Sequence, residues 1–282
     1  MNPDVDRQGA LRAQLPSPLA GHVIVLTGAS EGIGRALALE LARRGLRLVL
    51  AARNLQRLEE LARECAAQGS AALPVSTDVL DPAQCRALID VAIARFGRLD
   101  VLINNAGGTM WARFDAFADL SVYEHLVRLN YLSAVHLTAA ALPWLKQTQG
   151  RLVAVASMAG LTGVPERTGY SASKHALVGF FESLRIELGD SGVSVTIIAP
   201  DFVVTETHKR AIGPDGRPLG QSPMRQERIM TAQQCAELVV PAIEKRKRLL
   251  LTSLRGRMAR WVRLVAPSLI DRLAARAIRE RH

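Results

Sequence analysis

The chain has 282 residues, of which 49% are hydrophobic, 22% charged and only 4% aromatic. That is enough chain to bury one sizeable core, and the composition excludes collagen-like, disulfide-scaffold and wholly disordered proteins. The formal net charge of +10 is concentrated at one end: residues 245–282 hold twelve basic side chains against Asp271 and Glu280, so the first 244 residues are formally neutral.

In chain order, residues 1–20 carry Pro16 and Pro18 and read as a flexible lead-in. Their acidic start has no apolar h-region, which points to a cytoplasmic protein. Short apolar, β-branched runs then alternate with longer segments of helical period. The predicted strands are Val23–Leu26, Leu48–Ala51, Ala72–Val75, Val101–Asn104, Arg151–Ser157, Ser194–Ala199 and Arg248–Thr252. Between them lie the predicted helices Ile33–Arg44, Leu55–Gln68, Pro82–Phe96, Tyr131–Gln147 and Ser171–Leu188. Strands apolar on both faces and separated by helices make a parallel sheet covered on each side. The expectation is one doubly wound α/β domain of Rossmann type, with about seven strands, over residues 21–254.

Residues 206–230 are broken by Gly213, Pro214, Gly216, Pro218, Gly220 and Pro223 and read as a substrate lid. Thr231 and Gln234 then open a helix as a capping box. Residues 255–282 form a basic extension, in which Met258, Trp261, Val262 and Val265 fall at helical spacing among Arg257, Arg260 and Arg263. After Pro267 the pattern restarts with Leu269, Ile270, Leu273, Ala277 and Ile278 opposed by Arg272, Arg276 and Arg279. Two readings stay open for this tail. It lies in a membrane interface, or it packs over a cleft mouth or a second subunit. No run approaches the 18 apolar residues of a spanning helix. Trp261 alone among the tail's arginines gives no interleaved aromatics, so no nucleic-acid partner is expected. Cys65, Cys85 and Cys235 are odd in number and far apart, and read as reduced thiols with no zinc spacing, so no metal is expected.

The first strand runs into Gly28-Ala-Ser30-Glu31-Gly32-Ile33-Gly34 and then a helix. Such glycines allow a tight turn and a close approach to a pyrophosphate, which the helix N-terminus attracts. The second strand ends in Ala51-Ala52-Arg53-Asn54, with no acid before Glu59. A carboxylate there would bind a ribose 2′-OH, whereas Arg53 suits a 2′-phosphate and favours NADP(H) over NAD(H). Tyr170 and Lys174, four apart on a predicted helix, share one face. A free phenol titrates at about 10, and a neighbouring ammonium favours its phenolate, bringing it toward acid–base work at neutral pH.

The Gly-x-x-x-Gly-x-Gly spacing resembles the short-chain dehydrogenase/reductase family. The resemblance recurs in order at Asp78-Val79, Asn104-Asn105-Ala106-Gly107, Asn130, Ser157, Tyr170-x-x-x-Lys174 and Pro200 to Thr205. It spans roughly Gly21–Thr252 and is most like the hydroxysteroid dehydrogenase and ketosphinganine reductase branch. The resemblance implies an oxidoreductase that exchanges a hydride between a nicotinamide cofactor and a carbonyl or alcohol, with a bulky, lipid- or steroid-like substrate. It implies that Gly28, Ser30, Gly32, Ile33, Gly34, Asp78, Val79, Asn104, Ala106, Gly107, Tyr170, Lys174, Pro200 and Thr205 contact the cofactor. Tyr170 would be the general acid, Ser157 would hold the substrate oxygen, and Asn130 would bend its helix so that a water links Lys174 to solvent. It also implies a homodimer or homotetramer, pairing through Ala139–Leu145 and Phe180–Leu188. Two positions depart from the family. Glu31 stands where many NADP-using members carry a base, and Asp201 replaces the glycine usual after Pro200; Asp tolerates a positive φ there. The competing reading is a cofactor-binding sensor without catalysis, against which the complete Ser157, Tyr170 and Lys174 set counts.

Overall fold

The computed structural model describes residues 17–222, 224 and 229–279. Seven strands, β1 (Val23–Thr27), β2 (Arg47–Ala52), β3 (Ala72–Ser76), β4 (Val101–Asn104), β5 (Arg151–Val155), β6 (Ser194–Ala199) and β9 (Leu249–Leu251), form one sheet in the order β3-β2-β1-β4-β5-β6-β9. Every pairing is parallel. The expected doubly wound sheet is therefore present, with strand ends within about two residues of those predicted.

The core shows why both faces must be apolar. Along β1, Ile24 and Leu26 pack into one layer while Val25 packs into the other, and Leu48, Leu50 and Val49 of β2 divide the same way. Helices α1 (Gly32–Ala42), α2 (Leu55–Ala67) and α7 (Ala232–Glu244) cover the first face through Leu37, Leu61 and Val239. Helices α3 (Pro82–Phe96), α5 (Ser133–Gln147) and α6 (Thr168–Glu187) cover the second through Leu88, Leu137 and Phe181. Three of these helices start at a side-chain cap. Asn54 accepts from the Arg57 amide ahead of α2, Asp81 from the Ala83 amide ahead of α3, and Thr231 and Gln234 cap α7 reciprocally, as the sequence predicted.

The structure departs from the sequence reading in four places. A short helix α4 (Ser121–Val127), unmarked by the sequence, follows the Asp119 carboxylate, which accepts from the Ser121 amide. It runs through a π-helical turn at Arg128–Leu132 into α5, so the bend at Asn130 is a widened turn of one continuous helix. Leu19, placed in the flexible lead-in, is fully buried in the core, and Ser17 beside it donates to Glu244 at 2.7 Å; the chain is packed from there on. The turn after β6 needs no left-handed residue. Among described residues the non-glycine positions with positive φ are Gln149, Glu166 and Arg246, not Asp201.

The two-stranded pair β7 (Val203–Val204) and β8 (Met230–Thr231) brackets the expected lid. Its described part is folded: Ile212 bridges Met110 and Pro218, exchanging hydrogen bonds with Thr109 and Trp111. Pro223 and Arg225 lie outside the described residues. The chain ends in α8 (Leu254–Val265) and α9 (Pro267–Arg279). Cys65, Cys85 and Cys235 are buried free thiols, pushed up to about 11, 11 and 12 by desolvation and so inert at neutral pH. Phe181 is the largest fully buried side chain, and Phe181→Ala should lower the unfolding free energy by about 3–5 kcal/mol in urea denaturation.

Candidate active site

Parallel strands deliver all their carboxyl ends to one edge. Along that edge runs a cleft of about 880 Å³. It brings together Gly28, Ser30, Gly32, Ile33, Gly34, Arg53, Asp78, Val79, Ala106, Gly107, Ser157, Tyr170, Lys174, Pro200 and Thr205. Two predicted residues stand behind it. Asn104 is buried, with its amide 3.5 Å from the Thr138 hydroxyl, and Asn130 braces the wall from within.

At one end, the turn between β1 and α1 is fitted to a backbone-hugging ligand. Gly28 has φ 64°, and a Cβ on Gly34 would overlap the Gly28 carbonyl oxygen, so neither position admits a side chain. Asn105 holds the loop from the neighbouring strand, its side-chain amide donating to the Thr27 and Gly28 carbonyls at 2.9 and 3.1 Å. Glu31, at the N-cap of α1, makes no side-chain cap hydrogen bond. Gly32, Ile33 and Gly34 of the first turn of α1 line the cleft, and the uncapped start of a helix suits a pyrophosphate. Glu31 instead takes Arg57 of α2 at 3.1 Å and Arg210 from beyond β7. Neither arginine was singled out by sequence. They leave the acid doubly compensated beside exposed Arg53.

At the other end, α6 carries Tyr170 and Lys174 on one face, as their spacing required. The Lys174 ammonium lies 5.9 Å from the Tyr170 ring centre and donates to the Val155 carbonyl at 2.9 Å. Burial pushes Lys174 below the ordinary lysine range, and the neighbouring Tyr170 acts the other way. Ser157 follows β5 with its Oγ accepting from the Ala159 amide at 3.1 Å. Asn130 accepts from the Gly108 amide at 2.8 Å and donates to the Gly108 carbonyl and the Ser173 hydroxyl. It thus ties the π-helical turn to α6 and to the strand-end loop behind Lys174.

Met158, Ala159, Thr162 and Gly163, which follow Ser157, and residues 164–167, which precede α6, line the cleft on its other side, with His208 from the lid. His208 is buried against Trp111, its Nε2 bonded to the Val203 carbonyl at 3.1 Å. Burial, then the Arg167 cation, holds it below the usual histidine range. Trp111, Phe202 and the tail residues Arg255, Met258 and Val262 are further walls that the sequence did not assign. Asp201 accepts from the Ser253 hydroxyl at 2.8 Å, and Ser253 in turn caps α8 by accepting from the Gly256 amide at 2.9 Å. Gly256 presses on Met158: a Cβ there would meet the Met158 sulfur at 2.9 Å and displace that side chain. The tail's apolar positions do not form one face. Met258 and Val262 border the cleft, Met258 while still 61% exposed, and Trp261, Leu264 and Val265 are exposed by 70%, 68% and 82%.

Among described residues there is no cluster of His, Cys, Asp and Glu that could hold a metal, and no helix long and apolar enough to cross a membrane. A family model for short chain dehydrogenases matches residues 22–213. The Arabidopsis thaliana 11-beta-hydroxysteroid dehydrogenase 1A is 36% identical over 260 residues, covering 90% of this chain and 74% of the relative. The Mus musculus dehydrogenase/reductase SDR family member 7B is 38% identical over 274 residues, covering 93% and 83%. Among solved structures, a Burkholderia phymatum short chain dehydrogenase/reductase in complex with NAD superposes with a TM-score of 0.78 at 27% identity, covering 89% of this chain and 95% of that one. An alcohol dehydrogenase from Thermococcus sibiricus complexed with 5-hydroxy-NADP gives 0.70 at 26%, covering 82% and 95%. Glycine loop, parallel sheet and relatives agree: the chain belongs to the short-chain dehydrogenase/reductase family, alongside hydroxysteroid dehydrogenases.

Proposed function

We propose that the protein is an NADP(H)-dependent carbonyl reductase, reversible as an alcohol dehydrogenase, that acts on a bulky lipid- or steroid-like ketone with Tyr170 as general acid and base. The observation that carries this reading is the meeting of Ser157, Tyr170 and Lys174 at one end of a cleft whose other end is the glycine loop. A bound nicotinamide dinucleotide would supply or accept the hydride. The bare amides at the start of α1 would hold its pyrophosphate, with Ser30, Ile33, Asp78, Val79, Ala106, Gly107, Pro200 and Thr205 around the rest and Asn104 behind them.

Tyr170 gives its phenolic proton to the substrate oxygen as that oxygen gains charge, and recovers it in the reverse direction. Ser157 donates a hydrogen bond to the same oxygen and fixes the carbonyl's orientation. The Lys174 ammonium favours the phenolate electrostatically. Asn130 holds the wall behind Lys174, on the side from which a proton relay to solvent would run. Tyr170→Phe, with the cofactor retained, should lower turnover at least ~100-fold. The assay is NADPH consumption with a panel of aldehydes and ketones that includes ketosteroids, and near-normal turnover would reject the mechanism.

The preference for NADP(H) is supported by Arg53 and by the compensation of Glu31. With two guanidiniums on it, that acid no longer repels a 2′-phosphate. Arg53→Ala should weaken NADPH binding about tenfold, the low end for a charge-assisted hydrogen bond because Arg53 is exposed, and leave NADH binding nearly unchanged. Equal losses for the two cofactors in fluorescence titration would remove Arg53 from this role.

The tail supports peripheral contact with an anionic bilayer. Leu254, Trp261, Leu264 and Val265 are exposed on α8 amid Arg257, Arg260 and Arg263, and residues 245–282 carry the whole formal excess of +10. A basic helix with exposed apolar residues binds such a surface, here beside the cleft mouth. The full chain should co-sediment with phosphatidylserine vesicles at low salt and release at high salt. A chain ending at Leu254 should stay in solution, and a full chain that stays in solution at low salt makes the tail purely structural. For self-association, the exposed Ile186 and the edge-to-face pair of Tyr131 in the π-helical turn and Phe180 on α6 supply apolar surface. Sedimentation at micromolar concentration should give at least twice the 30.6 kDa chain mass.

A further inference from the structure

Arg167, the residue just before α6, is only 5% exposed, and burying a guanidinium costs several kcal/mol unless its surroundings compensate. The surroundings here are aromatic. Its guanidinium carbon lies 4.4 Å from the ring centre of Tyr170, 5.0 Å from Trp111 and 6.0 Å from Phe202, all within cation–π range. Its Nη2 donates to the Thr109 hydroxyl at 2.6 Å. The platform is itself anchored: the Trp111 indole donates to the Glu166 carboxylate at 3.0 Å, and the Ala112 amide donates to the Glu166 carbonyl. Glu166 accepts a left-handed φ of 62° to allow this, a strained conformation for a residue with a Cβ. An apolar side chain would fill the same aromatic cage without desolvating a charge, so packing alone does not account for an arginine.

We propose that Arg167 is a positioning residue for Tyr170: it pins the ring face and sets a second positive charge beside it that favours the phenolate. The proposal rests on the reading of Tyr170 as the acid. Lys174 acts from one turn farther along α6 and Arg167 from the N-terminal side across the ring face, their charged groups 5.9 and 4.4 Å from the ring centre, and a cation close to a phenol favours its ionised form. Of the other charged or titratable groups around the ring, Tyr123 of α4 packs against the same apolar cluster as Tyr170 and shares a hydrogen bond with the Thr168 hydroxyl. Glu166 is held by Trp111, Asp201 is bonded to Ser253, and His208 is kept toward its neutral form by burial and by Arg167 itself. From α4, His125 reaches the cleft lining but carries no partner role here.

The test reads ionisation directly and needs no substrate. The chain has three tyrosines, so the tyrosinate absorbance of the full-length protein minus that of Tyr170→Phe isolates Tyr170 across a pH titration. Arg167→Gln keeps a donor for Thr109 and loses the charge, and should move the midpoint upward by about one pH unit, a tenfold change in the ionisation constant. Arg167→Lys keeps the charge and should move it less than half as far. Arg167→Met is the second neutral variant, with thermal melting and cofactor binding reporting the fold of each. A midpoint unmoved in a folded neutral variant overturns the proposal, as does an equal shift in the lysine and neutral variants. Failure of both neutral variants to fold would make Arg167 a structural cap and overturn it as well. If Tyr170→Phe keeps its turnover while Arg167→Gln shifts the midpoint, the general-acid reading fails and the electrostatic coupling stands.

Discussion

Everything in this molecule follows from the strands running one way. A parallel sheet puts its unpaired carboxyl ends on a single edge, and the loops that leave that edge must turn into helices lying over both faces. The glycine loop, Arg53, the Asp78 turn, Ser157 and Thr205 leave five different strands yet converge on one cleft. The strands hold this geometry because both faces are apolar: Ile24, Leu26 and Val25 have no solvated side to which they could slip.

Within the cleft, charge is handled differently at the two ends. Near the glycine loop it is compensated by pairing: Glu31 carries two arginines that arrive from α2 and from the segment after β7. Toward Tyr170 it is compensated by aromatic faces and backbone carbonyls, with Lys174 on Val155 and Arg167 among three rings. The first arrangement is open to water and screened by salt. The second is desolvated, so each cation there acts strongly on its immediate neighbours.

Much of this was legible in the sequence because it rests on local rules. Unbroken apolar runs and period-3.6 hydrophobicity gave the sheet and most helices, and capping chemistry marked Thr231 and Gln234. The glycine spacing gave the loop, and a four-residue interval put Tyr170 and Lys174 on one face. What escaped depends on long-range meetings. Arg210 reaches Glu31 across 179 positions, and Arg167 acquires its significance only when Trp111 and Phe202 fold around it. The seven residues of α4 carry too short a period to register, and a π-helical turn breaks the very spacing by which helices are read. In the tail the amphipathic pattern was visible, but which residues border the cleft, Met258 and Val262 among them, emerges only when the body is folded against it.

The hydrogen bond from Ser253 to Asp201 has a consequence for anyone who would recombine this protein with its relatives. Position 201 sits in the turn that delivers Thr205, and Ser253 sets the first turn of α8. The body and the tail are therefore keyed to each other through one side chain, the Asp201 carboxylate. A chimaera that takes a foreign tail inherits an acid with no hydroxyl to hold. A chimaera that donates this tail loses the partner that registers its first turn. Exchange of the C-terminal helices should be planned as a two-part transplant, with residue 201 travelling alongside them.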